Sequence, residues 1–149
     1  MIYSQTTGIP PEHQTKFGSY DLRRRGLDPK TTIMNEEGSD DWRFLEGLEP
    51  ETGDIVIKKY NRNFFIGTLT DQILRALNID TLIICGIATH IGVESTVRYA
   101  ADIGYIPVIA KDATSGPDRE LNDMAIKVMS SLYDVRTTES IISALRQLK

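Results

Sequence analysis

Residues 86–96, GIATHIGVEST, follow an apolar run and open a helical one. A strand-to-helix turn of this kind gathers backbone N–H groups at a helix N-terminus, where negative charge is favoured, and exposes one residue for attack on a substrate. No nucleophile of the expected kind stands in this turn. A second chemical feature is the pair Lys58–Lys59, which ends an earlier apolar run. Neighbouring strand residues face opposite ways, so only one of the two ammonium groups can enter a site. Cys85, the only cysteine, lies inside the run TLIICG, where a cysteine is ordinarily a small buried hydrophobe.

The elements that must position these residues are legible in the last two thirds of the chain. DIVIKK (54–59) reads as a strand. TLTDQILRALN (68–78) places Leu69, Ile73, Leu74 and Leu77 on one helical face behind Thr68 as N-cap. Strands are expected at 81–86, 105–110 and 134–138, and helices at 93–104, 118–133 and 139–148. Apolar strands alternating with helices predict an α/β fold, a three-layer α/β/α sandwich around a mostly parallel sheet. In such sheets ligands gather at the carboxyl ends of the strands, here Lys58–Lys59, Gly86–His90 and Lys111–Thr114. Residues 1–5 could form one more strand. Residues 6–53, with Pro10, Pro11, Pro29 and Pro50, show little periodicity and read as a lid or binding loop, pinned by a short helix at Trp42, Phe44 and Leu45. We expect one domain over 1–149, with 1–53 as its partial N-terminal part and 54–149 as its core.

Bulk properties exclude several classes. A 149-residue chain with 26% charged residues and a net charge of −4 is an ordinary globular composition. No long basic run points to nucleic acid, and Arg23–Arg25 reads as solvated charge. No apolar stretch approaches the roughly 20 residues needed to span a bilayer. One cysteine excludes an internal disulfide and fits a reducing cytoplasm.

Taken together, the strand ending in lysine, a phenylalanine followed closely by Gly67–Thr68 and a helix, and GIATHIGVEST resemble the isochorismatase-like hydrolase superfamily, or cysteine hydrolases, over about residues 40–149. The resemblance implies an Asp–Lys–Cys triad. Aligning Gly67–Thr68 sets the lysine at Lys59, and Gly92 falls on the nucleophile position. It further implies a cis peptide between Ile87 and Ala88 and an oxyanion hole from the N–H groups of Ala88 and Gly92. Phe65, Thr89 and His90 are the implied substrate contacts, although a solvent-facing role for His90 has equal standing. The implied aspartate belongs to a first strand, followed by a helix, that has no counterpart here. The chain is expected to be a fragment, or else another element fills that gap. Asp112 is no replacement, because its segment KDAT matches one in which the aspartate supports a loop. The Asp-x-His run by which nicotinamidases of this group bind metal is missing around His13, so neither metal nor cofactor is expected.

The resulting expectation is a hydrolase acting on a small planar acid, amide or enol-ether with bound water in place of a thiolate. The alternative is an inactive relative serving as a binding or assembly subunit. A homo-oligomer is expected in either case, because a missing central strand leaves sheet edges bare.

Overall fold

The computed structural model describes residues 1–148, which form two compact units, Met1–Asn61 and Arg62 onward. The first unit is built on a parallel pair, β1 (Ile2–Thr6) and β2 (Ile55–Lys59), in register from Ile2↔Ile55 to Thr6↔Lys59. β2, expected with the core strands, pairs with β1 and belongs to this unit. The segment between them is more ordered than a loop. Helix α1 (Lys16–Arg24) starts at Thr15, whose side chain accepts from the Gly18 N–H. It escaped the periodicity reading because only Leu22 is buried on it. The short helix expected around Trp42 is a single 3-10 turn, Asp40–Trp42; Phe44 packs edge-on against Tyr3 at 5.6 Å, and Leu45 is exposed.

The second unit carries α2 (Thr70–Ala76), β3 (Thr81–Ile87), α3 (Glu94–Asp102), β4 (Ile106–Ser115), α4 (Arg119–Ser130), β5 (Asp134–Arg136) and α5 (Thr138–Gln147). Its three strands are parallel in the order β3–β4–β5. The α/β class and the parallel pairing follow the sequence pattern, with a two-stranded sheet in the first unit and a three-stranded sheet in the second.

The core lies on one face of β3–β4–β5. Val93, Val97, Ile109 and Met129 form its buried centre, with Ile84, Ile126, Tyr133 and Val135 packed around them. α3 and α4 thus cover the same sheet face that carries Ile84, Ile109 and Val135, which lie side by side in the register. The N-cap of α4 is Asp118, accepting from the Leu121 N–H, and that of α5 is Thr137. Thr68 was expected to cap α2. The helix begins at Thr70, and the Thr68 hydroxyl donates to the Phe64 carbonyl while receiving the Thr70 N–H.

The other face of β3 is bare. Ile83 is 47% exposed and Ile87 73% exposed, with Cys85 exposed between them. This corrects the expectation that Cys85 is buried. An all-apolar strand implies cover on both faces, and here helices cover one.

Candidate functional site

In the first unit, β1–β2 pairing places Thr6 beside Lys59, and the chain after β1 stays attached through Thr7 N–H to Lys59 O at 2.8 Å. Strand alternation then separates the two lysines. Lys58 turns outward, pairs with Glu37 and lies 5.4 Å from the centre of the Trp42 ring. Lys59 turns inward, is 9% exposed, and donates from Nζ to the Asn61 carbonyl at 3.0 Å. Burial strips water from its ammonium group and pushes its pKa below the ordinary lysine value. Polar residues that the sequence reading did not single out brace this region. Gln5 donates to the Trp42 carbonyl at 3.0 Å, and Trp42 Nε1 donates to Thr7 Oγ1 at 3.1 Å. Nothing in their sequence context marks them, since it is β1 pairing that buries Gln5 and Thr7.

In the second unit the turn after β3 contains the cis peptide Ile87–Ala88 and then a single π-type turn, Thr89–Val93. Its hydrogen bonds converge on one acceptor. The N–H groups of Ile91, Gly92 and Val93 all donate to the Ala88 carbonyl, at 3.2, 3.0 and 3.2 Å. Of the two N–H groups expected to form an oxyanion hole, that of Gly92 therefore already has an acceptor inside the turn.

Gly92 leaves space at the nucleophile position. A Cβ built there would meet the Arg62 carbonyl at 3.4 Å and the Ile87 carbonyl at 3.9 Å, ordinary van der Waals separations. The glycine is thus not imposed by crowding.

The structure separates the three residues expected to touch substrate. Thr89 is fully buried and donates to the Ser115 carbonyl at 3.0 Å; it ties the turn to the end of β4. Phe65 is buried between Tyr99 and Tyr105, with ring centroids 5.6 and 5.7 Å away. In both, the apolar or hydrogen-bonding surface is occupied by protein, and a ligand contact by either stays a proposal. His90 alone is partly exposed, and its Nδ1 lies 2.8 Å from Asn122 Oδ1 on α4.

The segment before α2 is fastened to the start of α3. Asn63 donates to the Ser95 carbonyl at 2.7 Å and accepts the Phe65 N–H at 2.8 Å; the Phe64 N–H reaches Thr96 Oγ1 at 3.1 Å. Asp112, on the polar extension of β4, accepts both the N–H and the hydroxyl of Thr138, at 2.7 and 2.9 Å. Those donors hold its carboxyl below the usual aspartate range, so it anchors the first turn of α5. Among the described residues, no group of three or more His, Cys, Asp or Glu side chains is arranged to hold a metal ion, and no helix is long and apolar enough to cross a membrane.

Comparison with known proteins follows this geometry. Residues 12–140 match the isochorismatase domain family. The chain is 44% identical over 103 residues to the ureidoacrylate amidohydrolase RutB of Yersinia enterocolitica, covering 68% of this chain and 42% of that protein. It is 39% identical over 105 residues to an uncharacterised isochorismatase family protein, YecD, of Escherichia coli O157:H7, covering 70% of this chain and 56% of that one. The chain thus spans about half the length of these relatives. Among solved structures, an isochorismatase family protein from Desulfovibrio vulgaris superposes with a TM-score of 0.82 at 20% identity, over 97% of this chain and 74% of that one.

Proposed function

The chain belongs to the isochorismatase family, and from that premise we propose that it is a hydrolase acting on a small planar acid, amide or enol-ether, with bound water as the attacking group. One observation carries the choice of water. Position 92 has no side chain although the space would admit one, and the single thiol, Cys85, lies on an exposed face of β3. Lys59 supplies the fixed positive charge for a substrate carboxylate or a developing oxyanion. In the second unit, the role we assign to the N–H groups of Ala88 and Gly92 is to polarise a substrate oxygen once the Gly92 N–H is shared with it. Other observations favour the alternative of a binding or assembly subunit: the Gly92 N–H is already satisfied, and Phe65 and Thr89 are packed away from solvent.

The two readings separate in one assay series. Ureidoacrylate, nicotinamide and isochorismate are offered to the protein and to Cys85→Ser. The water-based reading expects turnover of at least one substrate, with Cys85→Ser within about twofold of the parent, because surface thiols away from the chemistry are catalytically silent. Saturable binding of these compounds without turnover would favour the subunit reading instead. Loss of activity in Cys85→Ser would overturn the water mechanism.

We also propose a cytoplasmic homo-oligomer that covers the bare face of β3. Ile83, Cys85 and Ile87 form an apolar row along an edge strand, a surface that favours association. Sedimentation of the chain should give a species larger than the monomer, and Ile83→Lys with Ile87→Lys should dissociate it. In the same range of concentration, alkylation of Cys85 by iodoacetamide should slow as the oligomer forms. A monomer at all concentrations, with unchanged alkylation rate, rules this surface out.

A further inference from the structure

The water proposed above needs a group to take its proton, and the turn contains a histidine with one side chain atom committed and the other available. His90 Nδ1 lies 2.8 Å from Asn122 Oδ1. The orientation of the Asn122 amide is fixed by its other end: Nδ2 donates to the Gly116 carbonyl at 3.0 Å, and a carbonyl can only accept. The atom facing His90 is therefore an acceptor, so Nδ1 must carry the proton. A neutral His90 is then held as the Nδ1–H tautomer, with the lone pair on Nε2. Nε2 has no hydrogen-bond partner among the described residues.

The clamp is built into the packing. Asn122 is buried in the first turn and a half of α4, four residues after the Asp118 N-cap. A Cβ on Gly116 would lie 2.7 Å from Asn122 Oδ1, 3.1 Å from Nδ2 and 3.2 Å from the Ala88 Cβ. Only a glycine there lets the chain approach Asn122 and the turn together. Thr89, next to His90, is tied to Ser115, so both neighbours in the turn are referenced to the same end of β4.

We propose that His90 is the general base of this site, and that Asn122 and Gly116 are positioning residues that fix its tautomer. The proposal rests on the water-based reading. Nε2 takes a proton from water as the water oxygen forms its bond to the substrate carbonyl carbon, and the C=O π pair moves onto oxygen. Collapse of the tetrahedral species re-forms the carbonyl and expels the leaving nitrogen or oxygen, which receives the proton from the imidazolium. No thiol is involved, in keeping with Gly92.

The test reads the tautomer and the base separately. The full chain with ¹⁵N-labelled histidine is examined by long-range ¹H–¹⁵N correlation above the imidazole titration, with His90→Gln identifying which of the two histidines is which. The expected result is a protonated Nδ1 and an unprotonated Nε2 at His90. Asn122→Leu should release the Nε2–H form. A wild-type Nε2–H tautomer overturns the proposal without any variant having to fold. Base strength is read with p-nitrophenyl acetate, an activated ester that reports an available imidazole whatever the natural substrate, in a Cys85→Ser background. His90→Gln and Asn122→Leu should each slow it by about 10²-fold, the low end for a positioned general base, and His13→Gln should not. Equal rates in all variants overturn the base assignment. Failure with ureidoacrylate, nicotinamide and isochorismate alone counts against the proposed function instead.

Discussion

Lys59→Met should reduce turnover by about 10²–10⁴-fold, the usual loss when a group acting on charge or protons in the transition state is removed, and should leave the chain at least as stable at neutral pH. The two halves have one cause. Lys59 is buried, at 9% exposure, and its pKa is lowered by desolvation. A lowered pKa means that the folded state binds the proton less tightly than the unfolded chain, whose lysine titrates at the ordinary 10.5. At any pH below the folded pKa both states are protonated, and the full penalty of burying the ammonium is present. As pH rises through the folded pKa toward 10.5, the folded state loses its proton first, and stability is regained. Methionine has a similar length and no charge to desolvate, though it gives up the bond to the Asn61 carbonyl. The melting temperature of Lys59→Met minus that of the parent should therefore be zero or positive at pH 7.5 and should fall by pH 10.5. A variant that is inactive and markedly less stable at pH 7.5 would identify Lys59 as structural. Lys58→Met is the control: its ammonium sits outside, paired with Glu37, and activity should persist.

How far the sequence could reach is clear from particular residues. The order from β2 to α5 was legible because β2, β3 and the first half of β4 are apolar runs and each later helix repeats apolar residues at 3.6-residue spacing, while β5, DVR, was read from its place between two helices. α1 was not, since KFGSYDLRR buries only Leu22, and its signal was a lone N-cap threonine. β4 runs past the apolar YIPVIA through Lys111–Ser115, where pairing with Gly86 and Ile87 after a register shift, rather than propensity, keeps the chain extended. The turn at 86–93 was expected from residue types, and the inward turn of Lys59 from alternation plus a resemblance. Asn122 could not be found this way. A polar residue near a helix start has no distinctive context, and only the approach of α4 to the turn brings it to His90. Cys85 was misplaced because an apolar run states what a strand can bury, whereas burial itself depends on which neighbours cover each face.

The largest stability loss is expected from Ile109→Ala. Ile109 is fully buried at the centre of β4, beside Ile84 of β3 and Val135 of β5 in the register. Removing three carbons there should cost about 2–5 kcal/mol, whereas Ile109→Val, which removes one, should cost about 0.5–1.5 kcal/mol. At about 2–4 °C per kcal/mol for a chain of this size, the alanine variant should melt several degrees or more below the parent. Urea unfolding followed by far-UV circular dichroism is the suitable measurement, because α2 to α5 all belong to the second unit. The position within the range depends on what can close the void. Val93 and Val97 are β-branched and anchored on the turn and on α3, so they move little. Met129, fully buried in the same cluster, is unbranched and can swing toward the gap. If Met129 refills it, the loss lies near the lower end, and Ile109→Ala combined with Met129→Ala should exceed the sum of the single losses. Because Val93 is the last residue of the π-type turn, the same void should also loosen the segment that carries His90 and Gly92. Amide exchange of residues 88–93 should then accelerate in Ile109→Ala relative to Ile109→Val. A loss below about 1 kcal/mol for the alanine variant would mean that this cluster is not what holds the turn against the sheet.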